Sequence, residues 1–273
     1  MSANTPEWLN RLISRATATD GQPPFSDQSL VELRDGRREL LSIDETAAAV
    51  LLRGDPGEAE LVVDPGARGN GLGEQMLSRV LTESPSILIW AHGDHPAARS
   101  LAARHELTAV RTLLQLRAPV QGDLNAAGAL DGFTPFRPGH DDAAWLDINA
   151  RAFAHHPEQG SLTQVDLDAR MAEPWFNADD FLLLRDEDGQ VIAFCWLKVD
   201  GDIGEFYVVG VDPRQQGSGL GRRLVAAGLA HLAASGIRTA SLYVDADNVP
   251  AVRLYRSYGF ADHTVDVQYA TRR

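Results

Sequence analysis

The stretch VVGVDPRQQGSGLG, residues 208–221, runs from an apolar, β-branched segment through a glycine-rich loop into an amphipathic pattern. Gly217, Gly219 and Gly221 alternate with Ser218 and Leu220. Glycine takes positive φ and lets backbone approach a ligand with no Cβ in the way. The free N–H groups and positive dipole end of a following helix suit a pyrophosphate. A tight strand–helix turn would use the same glycines, so the loop alone does not decide between the two. It fits neither common nucleotide motif: no Gly-Lys-Ser/Thr ends it, and it follows a meander instead of opening a βαβ unit.

The chain contains this stretch twice. ELVVDPGARGNGLG at residues 60–73 pairs Asp64 with Asp212, Pro65 with Pro213, Arg68 with Gln216, Gly71 with Gly219 and Gly73 with Gly221, at a constant offset of 148. Such a repeat is the first thing to find, because missing it mis-assigns the fold. The flanks agree in kind. Amphipathic helices are expected over 74–82 and 222–235, apolar strands over 86–92 and 239–245, helices from Pro96 and Pro250, and closing strands over 112–117 and 263–270. Ahead of the second loop, two helices precede a meander with strands at 181–185, 190–198 and 205–211, turning at Asp188-Gly189 and Asp200-Gly201. The segment 119–132 reads as a linker. The expectation is an α/β (α+β) chain of two tandem domains, 1–125 and 126–273, each a mixed central sheet flanked by helices.

Composition narrows the partners. The formal charge of −13 argues against nucleic acid, which needs a clustered basic footprint. No apolar run reaches ~18–20 residues, and the first residues lack the core of a signal peptide, so neither a membrane role nor export is expected. Cys195 is the single cysteine, which excludes an internal disulfide and a Cys-based zinc cluster. A cytoplasmic, metal-free monomer acting on a small molecule is the expectation. Of the 25 basic residues only Lys198 is lysine. A compact ammonium and a planar guanidinium are not equivalent, so this survivor draws notice.

The loop after its Val-x-Pro-like strand end resembles the acetyl-CoA loop of the GNAT acetyltransferase superfamily. The later NVPAVRLYRSYGF, residues 248–260, resembles that superfamily's second signature. Within the superfamily, the tandem layout resembles the mycothiol synthases, as do AFAHHPEQG (152–160), WLKV (196–199), GEFYVVGVDP (204–213) and LYVDADN (242–248). The resemblance spans nearly the whole chain and is denser in the C-terminal half. It implies acetyl transfer from acetyl-CoA to the free cysteinyl amine of desacetylmycothiol, an amino-sugar–inositol. The alternatives are a tandem acetyltransferase for another amine (a protein N-terminus, a polyamine or an antibiotic) and a CoA-binding regulator without turnover.

Amide formation from a thioester needs a neutral amine, a stabilised oxyanion and a protonated leaving thiolate. Glu205, at the start of the strand that runs into the loop, is the candidate base, and Tyr255 the candidate acid for the CoA sulfur. For the substrate the resemblance implies Glu158, Lys198, Glu205 and Tyr243, with Asp27 from the N-terminal half. Asp27 also reads as an N-cap for a helix starting near Gln28. His155 and His156, beside Pro157, read as structural or solvated. Cofactor contacts are expected from Val209, Gly210 and Val211 and from Gln216, Gly217, Ser218, Gly219, Leu220, Gly221 and Arg222. Asn248 and Arg253 join them from the second signature. The N-terminal half keeps a matching set, Leu61, Val62 and Val63 with Arg68, Gly69, Asn70, Gly71, Leu72 and Gly73. It lacks the reacting groups: counting back 148 from Glu205 gives Gly57, and setting Pro96 on Pro250 puts Leu101 opposite Tyr255. Glu58 and Glu60 lie close enough to keep that silence open.

Overall fold

A computed structural model describes residues 5–120, 126–154 and 159–272. The chain forms two compact units, Met1–Leu114 with Asp245–Asp247 and Thr264–Arg273, and Gln115–Val244 with Asn248–His263. The repeat suggests a division at about residue 125, whereas these units part at Leu114/Gln115 and the C-terminal segment belongs to the first.

The first unit holds α1 (Glu7–Asp20), α2 (Asp27–Arg34), β1 (Glu39–Ile43), β2 (Ala47–Leu52), β3 (Gly57–Val63), α3 (Leu72–Glu83), β4 (Ile87–Ala91) and α4 (Pro96–Arg104). The strand β5 (Thr108–Pro119) leaves it for the second unit. There α5 (Ala126–Ala129), β6 (Phe133–Pro135), α6 (Asp142–Ala152), α7 (Gln164–Met171), β7 (Phe181–Arg185), β8 (Val191–Asp200) and β9 (Ile203–Val211) follow. Then come α8 (Leu220–Ala234), β10 (Thr239–Asp245), α9 (Val249–Ser257) and β11 (Ala261–Ala270).

Each unit is a mixed sheet flanked by helices, as the repeat predicts. In the first, β1, β2 and β3 run antiparallel, β4 joins β3 in parallel, and β11 lies antiparallel on β4. The sequence AAAVLL of β2 is buried on both faces, and alternate residues serve opposite layers. Ala48 and Val50 meet Leu9, Leu12 and Phe25 on the α1–α2 side, while Ala47, Ala49 and Leu51 meet Met76 and Val80 of α3. In the second unit β6, β7, β8 and β9 run antiparallel, and β10 joins β9 in parallel. Its α6–α7 side is aromatic. Phe181 stacks between Phe136 and Trp196 at 4.4 Å from each, and Trp145 sets its edge on Phe181, Phe194 and Trp196. Such pairs add about 0.5–1.5 kcal/mol each beyond area burial, and they fix the strands beneath the site. On the α8 side the approach is close: a Cβ on Gly228 would stand 2.4 Å from the Phe206 ring.

Two expectations shift. The helix expected from Arg222 starts at Leu220, because Gly219 takes φ 84° and turns the chain directly into it. The cap of α2 is Ser26 and not Asp27. The Ser26 hydroxyl accepts from the Ser29 N–H, and Asp27 is the first helical residue. Among the described residues no helix is long and apolar enough to cross a membrane.

A buried charge cluster holds β11 to the first unit. The His92 ring, just after β4, meets Asp266 of β11 through Nδ1 at 3.0 Å and the Glu60 carboxylate of β3 through Nε2 at 3.6 Å. Glu60, 1% exposed, accepts hydrogen bonds from the Ser26 N–H and the Ser26 and Ser29 hydroxyls. Burial alone would push the His92 imidazole down, but Asp266 and Glu60 prevail and raise it to about 10. The folded state therefore keeps a proton that the unfolded chain releases near pH 6.5. This stabilisation is fully present below about pH 6.5 and is lost as pH rises through about 10. The thermal midpoint is expected to fall between pH 7 and 10 more steeply in the wild type than in His92→Gln. Parallel curves for the two proteins would refute the clamp.

Candidate active site

The site forms where β9 leaves β10. On one edge β9 pairs with β8 throughout, but the register slips between Trp196 and Leu197: Trp196 faces Val208 and Leu197 faces Phe206, so Tyr207 is a surplus residue in a β-bulge. A bulge adds local twist and bends its strand. On the other edge the parallel ladder with β10 covers only Ile203–Phe206 against Thr239–Leu242. From Tyr207 to Val211 the two strands part, and backbone N–H and C=O groups of β9 line the opening. Val209, Gly210 and Val211 sit there.

The bulge also sorts side chains between layers. Ahead of it, Gly204 and Phe206 face α8, where their neighbours are Leu232 and Gly228. Beyond it, Val208 and Gly210 face the α6–α7 layer, beside Trp145, Phe194 and Ala152. Glu205 therefore shares the α6–α7 face with its register partner Lys198 on β8, and Ser241 of β10 flanks it on the far side. Lys198 places its Nζ 5.3 Å from the centre of the Trp175 ring. Tyr243, two residues on from Ser241, is 44% exposed and its hydroxyl accepts a 2.9 Å hydrogen bond from the Gln115 amide. Lys198, Glu205 and Tyr243 thus share one face across three strands. Glu158, His155 and His156 lie outside the described residues.

Tyr255 stands on the opposite face. Its ring packs on Phe260, which packs on Phe206 under α8. Burial, and then the neighbouring Cys195, push its hydroxyl up, so it stays protonated well beyond neutrality. Glu205 and Tyr255 thus stand on opposite faces of the sheet, near the end of the β9–β10 ladder.

The loop itself has the form a pyrophosphate requires. Gly217 and Gly219 take φ of 79° and 84°, with open space where a Cβ would point. No side chain caps α8, so its first N–H groups stay available beside Gln216, Ser218, Leu220, Gly221 and Arg222. Asp212 closes the strand: its carboxylate accepts from the Arg214 N–H and pairs with Arg151 of α6 at 2.9 Å. Burial would raise this carboxyl, but those two donors hold it below the usual range. Asn248 caps α9 by accepting from the Ala251 N–H, and Arg253 is exposed on that helix.

The first unit repeats the frame. Gly69 and Gly71 take φ of 81°, α3 lacks a side-chain cap, and Asp64 pairs with Arg15 of α1 as Asp212 does with Arg151. A cavity of about 520 Å³ is walled by Leu61–Val63 and the loop; of the expected N-terminal set only Asn70 is missing from its lining. Arg68 is held there by both carboxylate oxygens of Asp20, at 2.7 Å each.

The copies differ at the reacting positions, and two sequence equivalences need correcting. The β2–β3 register runs unbroken, so β3 has no counterpart of Tyr207. Upstream of the bulge the offset drops by one: Gly57 matches Gly204, and Glu58 matches Glu205. Glu58 is tied to the Arg38 guanidinium, which is 3% exposed and also binds Glu32 at 2.7 Å. In the helices, Leu101 would meet a Cβ on Gly73 at 3.1 Å as Leu254 would on Gly221. The Leu107 N–H returns to the Ala102 carbonyl as the Phe260 N–H returns to that of Tyr255. Ala102, not Leu101, stands in the place of Tyr255, and it has no proton to give.

Comparison with known proteins agrees with this geometry. The profile of the Acetyltransferase (GNAT) family matches residues 143–260. A mycothiol acetyltransferase from Streptomyces avermitilis is 49% identical over 99% of this chain and 93% of its own length. One from Clavibacter michiganensis subsp. michiganensis is 49% identical over 93% of this chain and 88% of its own. In fold, the chain is similar to the tandem GNAT protein from the clavulanic acid biosynthesis pathway, with TM-score 0.69 and 14% identity, covering 99% of this chain and 96% of that one. The chain is an acetyl-CoA-dependent N-acetyltransferase of the GNAT superfamily and belongs to the mycothiol acetyltransferase family.

Proposed function

We propose that this chain transfers the acetyl group of acetyl-CoA to the free cysteinyl amine of desacetylmycothiol, giving mycothiol and CoA, and that the second unit does so in the cytoplasm as a monomer. The observation that carries the reading is the placement of Glu205 and Tyr255 on the two faces of the sheet near the end of the β9–β10 ladder.

In this reading Glu205 takes the ammonium proton, directly or through one water, and frees the amine to attack the thioester carbonyl. Backbone N–H groups of Val209–Val211 orient the pantetheine arm and stabilise the oxyanion. Tyr255, which burial keeps protonated, then gives its proton to the departing CoA thiolate. Residues Gln216–Arg222 hold the pyrophosphate by backbone donation, with Asn248 and Arg253 flanking the same cofactor. Lys198, Glu158 and Tyr243 supply donors and acceptors for the sugar and inositol hydroxyls. The family resemblance adds Asp27, the first residue of α2, to these substrate contacts. The first unit holds a CoA without turning it over, because Glu58 is neutralised by Arg38 and Ala102 has no hydroxyl. Acetyl-CoA turnover with desacetylmycothiol against a panel of other amines, followed by free-thiol release, tests the proposal. A better rate on a polyamine or a peptide N-terminus would overturn it.

Four substitutions test the assignments. Glu205→Gln keeps the shape and removes proton acceptance, so the neutral-pH rate is expected to fall ~10²–10⁴-fold with the KM for acetyl-CoA unchanged. A rate within a few-fold of wild type would remove Glu205 from the mechanism. Asp27→Asn is expected to raise the amine KM about 10–100-fold, the worth of a buried hydrogen bond to a charged group, with thermal stability unchanged. An unaltered KM would leave Asp27 a bystander. Valine at Gly219 or at Gly71 meets the same left-handed strain, so both variants are expected to lose similar stability, about 1–2 kcal/mol. Only Gly219→Val is expected to raise the KM for acetyl-CoA in turnover. Equal kinetic damage from both would mean that the active copy is misassigned.

A further inference from the structure

Trp175 lies between α7 and β7, outside both superfamily signatures, on the same side of the second unit as Glu205. Its ring is fixed from two directions: the Tyr207 ring is 5.0 Å away at an interplanar angle of 63°, and the Trp196 ring 5.9 Å away at 46°. Tyr207 is held in turn, because its hydroxyl accepts from the Arg170 Nε of α7 at 3.1 Å. Over this fixed ring stands the Nζ of Lys198, 5.3 Å from its centre, within the range in which an aromatic face attracts an ammonium. Trp175 is only partly buried, so the ring reaches the open side of the wall that Lys198, Glu205 and Tyr243 form.

We infer that Trp175 is the positioning residue of the amine-substrate site, holding the Lys198 ammonium over its ring on the face that Lys198 shares with Glu205 and Tyr243. The inference rests on the proposed role of Lys198 as a substrate ligand. A lysine side chain has four rotatable torsions and loses rotamer entropy when one pose is imposed. An aromatic face restrains the head group by attraction to the ring quadrupole. The bulge contributes directly: Tyr207, the surplus residue that opens the cofactor split, is also the ring against which Trp175 rests. The same structural device therefore positions both substrates.

Because Lys198 is the single lysine of the chain, ¹³Cε-lysine labelling of the untagged protein gives one resonance. That resonance is expected upfield of free lysine in the wild type and in Trp175→Phe, and at the free position in Trp175→Leu. An identical shift in all three would overturn the contact. In steady-state assays with acetyl-CoA and desacetylmycothiol, Trp175→Leu is expected to raise the amine KM about 3–30-fold, the range of a cation–π contact. The KM for acetyl-CoA should be unmoved and kcat altered by less than about twofold, with Trp175→Phe recovering most of the loss. The double variant Trp175→Leu/Lys198→Met should be no worse than Lys198→Met alone, since the ring acts through the ammonium. Multiplying effects would overturn the inference. If Lys198→Met by itself left the amine KM unchanged, the proposed role of Lys198 would fail, and the labelled resonance would still report separately whether the ring holds the ammonium.

Discussion

Where β8 and β9 pair, one strand has a residue more than the other, and most of the site's geometry follows from that mismatch. The surplus Tyr207 breaks the register, and the added twist carries β9 away from β10 just where the parallel ladder stops. Two consequences are inseparable. Backbone groups that would have been satisfied within a sheet face an opening instead, and an unpaired N–H lined up beside a glycine loop is a ready partner for an extended amide-bearing ligand. The side chains beyond the bulge also change layer, so Glu205 and Val208 come to share a face that strict alternation would deny them.

The two copies separate what the frame requires from what the chemistry requires. Both keep the left-handed glycines, the uncapped helix and a helical arginine, Arg15 of α1 or Arg151 of α6, paired with the aspartate at the strand end. These features place the loop, and a copy that lost them would lose the turn. The bulge and the tyrosine are present in one copy only. In the other, Glu58 survives at the position of Glu205 but faces a buried guanidinium. That carboxylate is engaged by the Arg38 guanidinium. The divergence of the first copy is thus a diversion of its base as well as a loss of its acid.

The tandem frame was legible in the sequence because glycine at left-handed φ, Asp-Pro strand ends and proline-initiated helices are local signals that repeat at a fixed spacing. The proposed site residues on regular strands, Lys198, Glu205 and Tyr243, come from the family resemblance, and alternation on adjacent strands brings them to one face. The bulge was not legible. Val208 and Tyr207 are equally good strand residues, and nothing local marks which is surplus; only pairing with β8 decides it. That omission misplaced the counterpart of Glu205 by one residue, since a constant offset assumes strands of equal length. The helix comparison slipped by one for a similar reason: Pro96 is the first residue of α4, whereas Pro250 is the second of α9. Trp175 and Gln115 escaped notice because each depends on a partner distant in the chain. The exchange of β11 was equally hidden, since Asp266 has meaning only beside His92 and Gly93 of the first unit.

A chain with a net charge of −13 has to bind a polyanion, and the arrangement of its acids explains how it can. Asp64 and Asp212 stand at the mouths of the two loops, where a bare carboxylate would repel phosphate. Each is turned back to accept from a backbone N–H and is matched by an arginine, Arg15 of α1 or Arg151 of α6. Arg68, at the position of Gln216, is offset in turn by Asp20. Beside these pairs, each loop keeps the left-handed glycines and the dipole of the helix that follows it. An arginine and a glutamine can therefore occupy the same place in the repeat, because the backbone of the loop, and not that side chain, is the frame that the copies share.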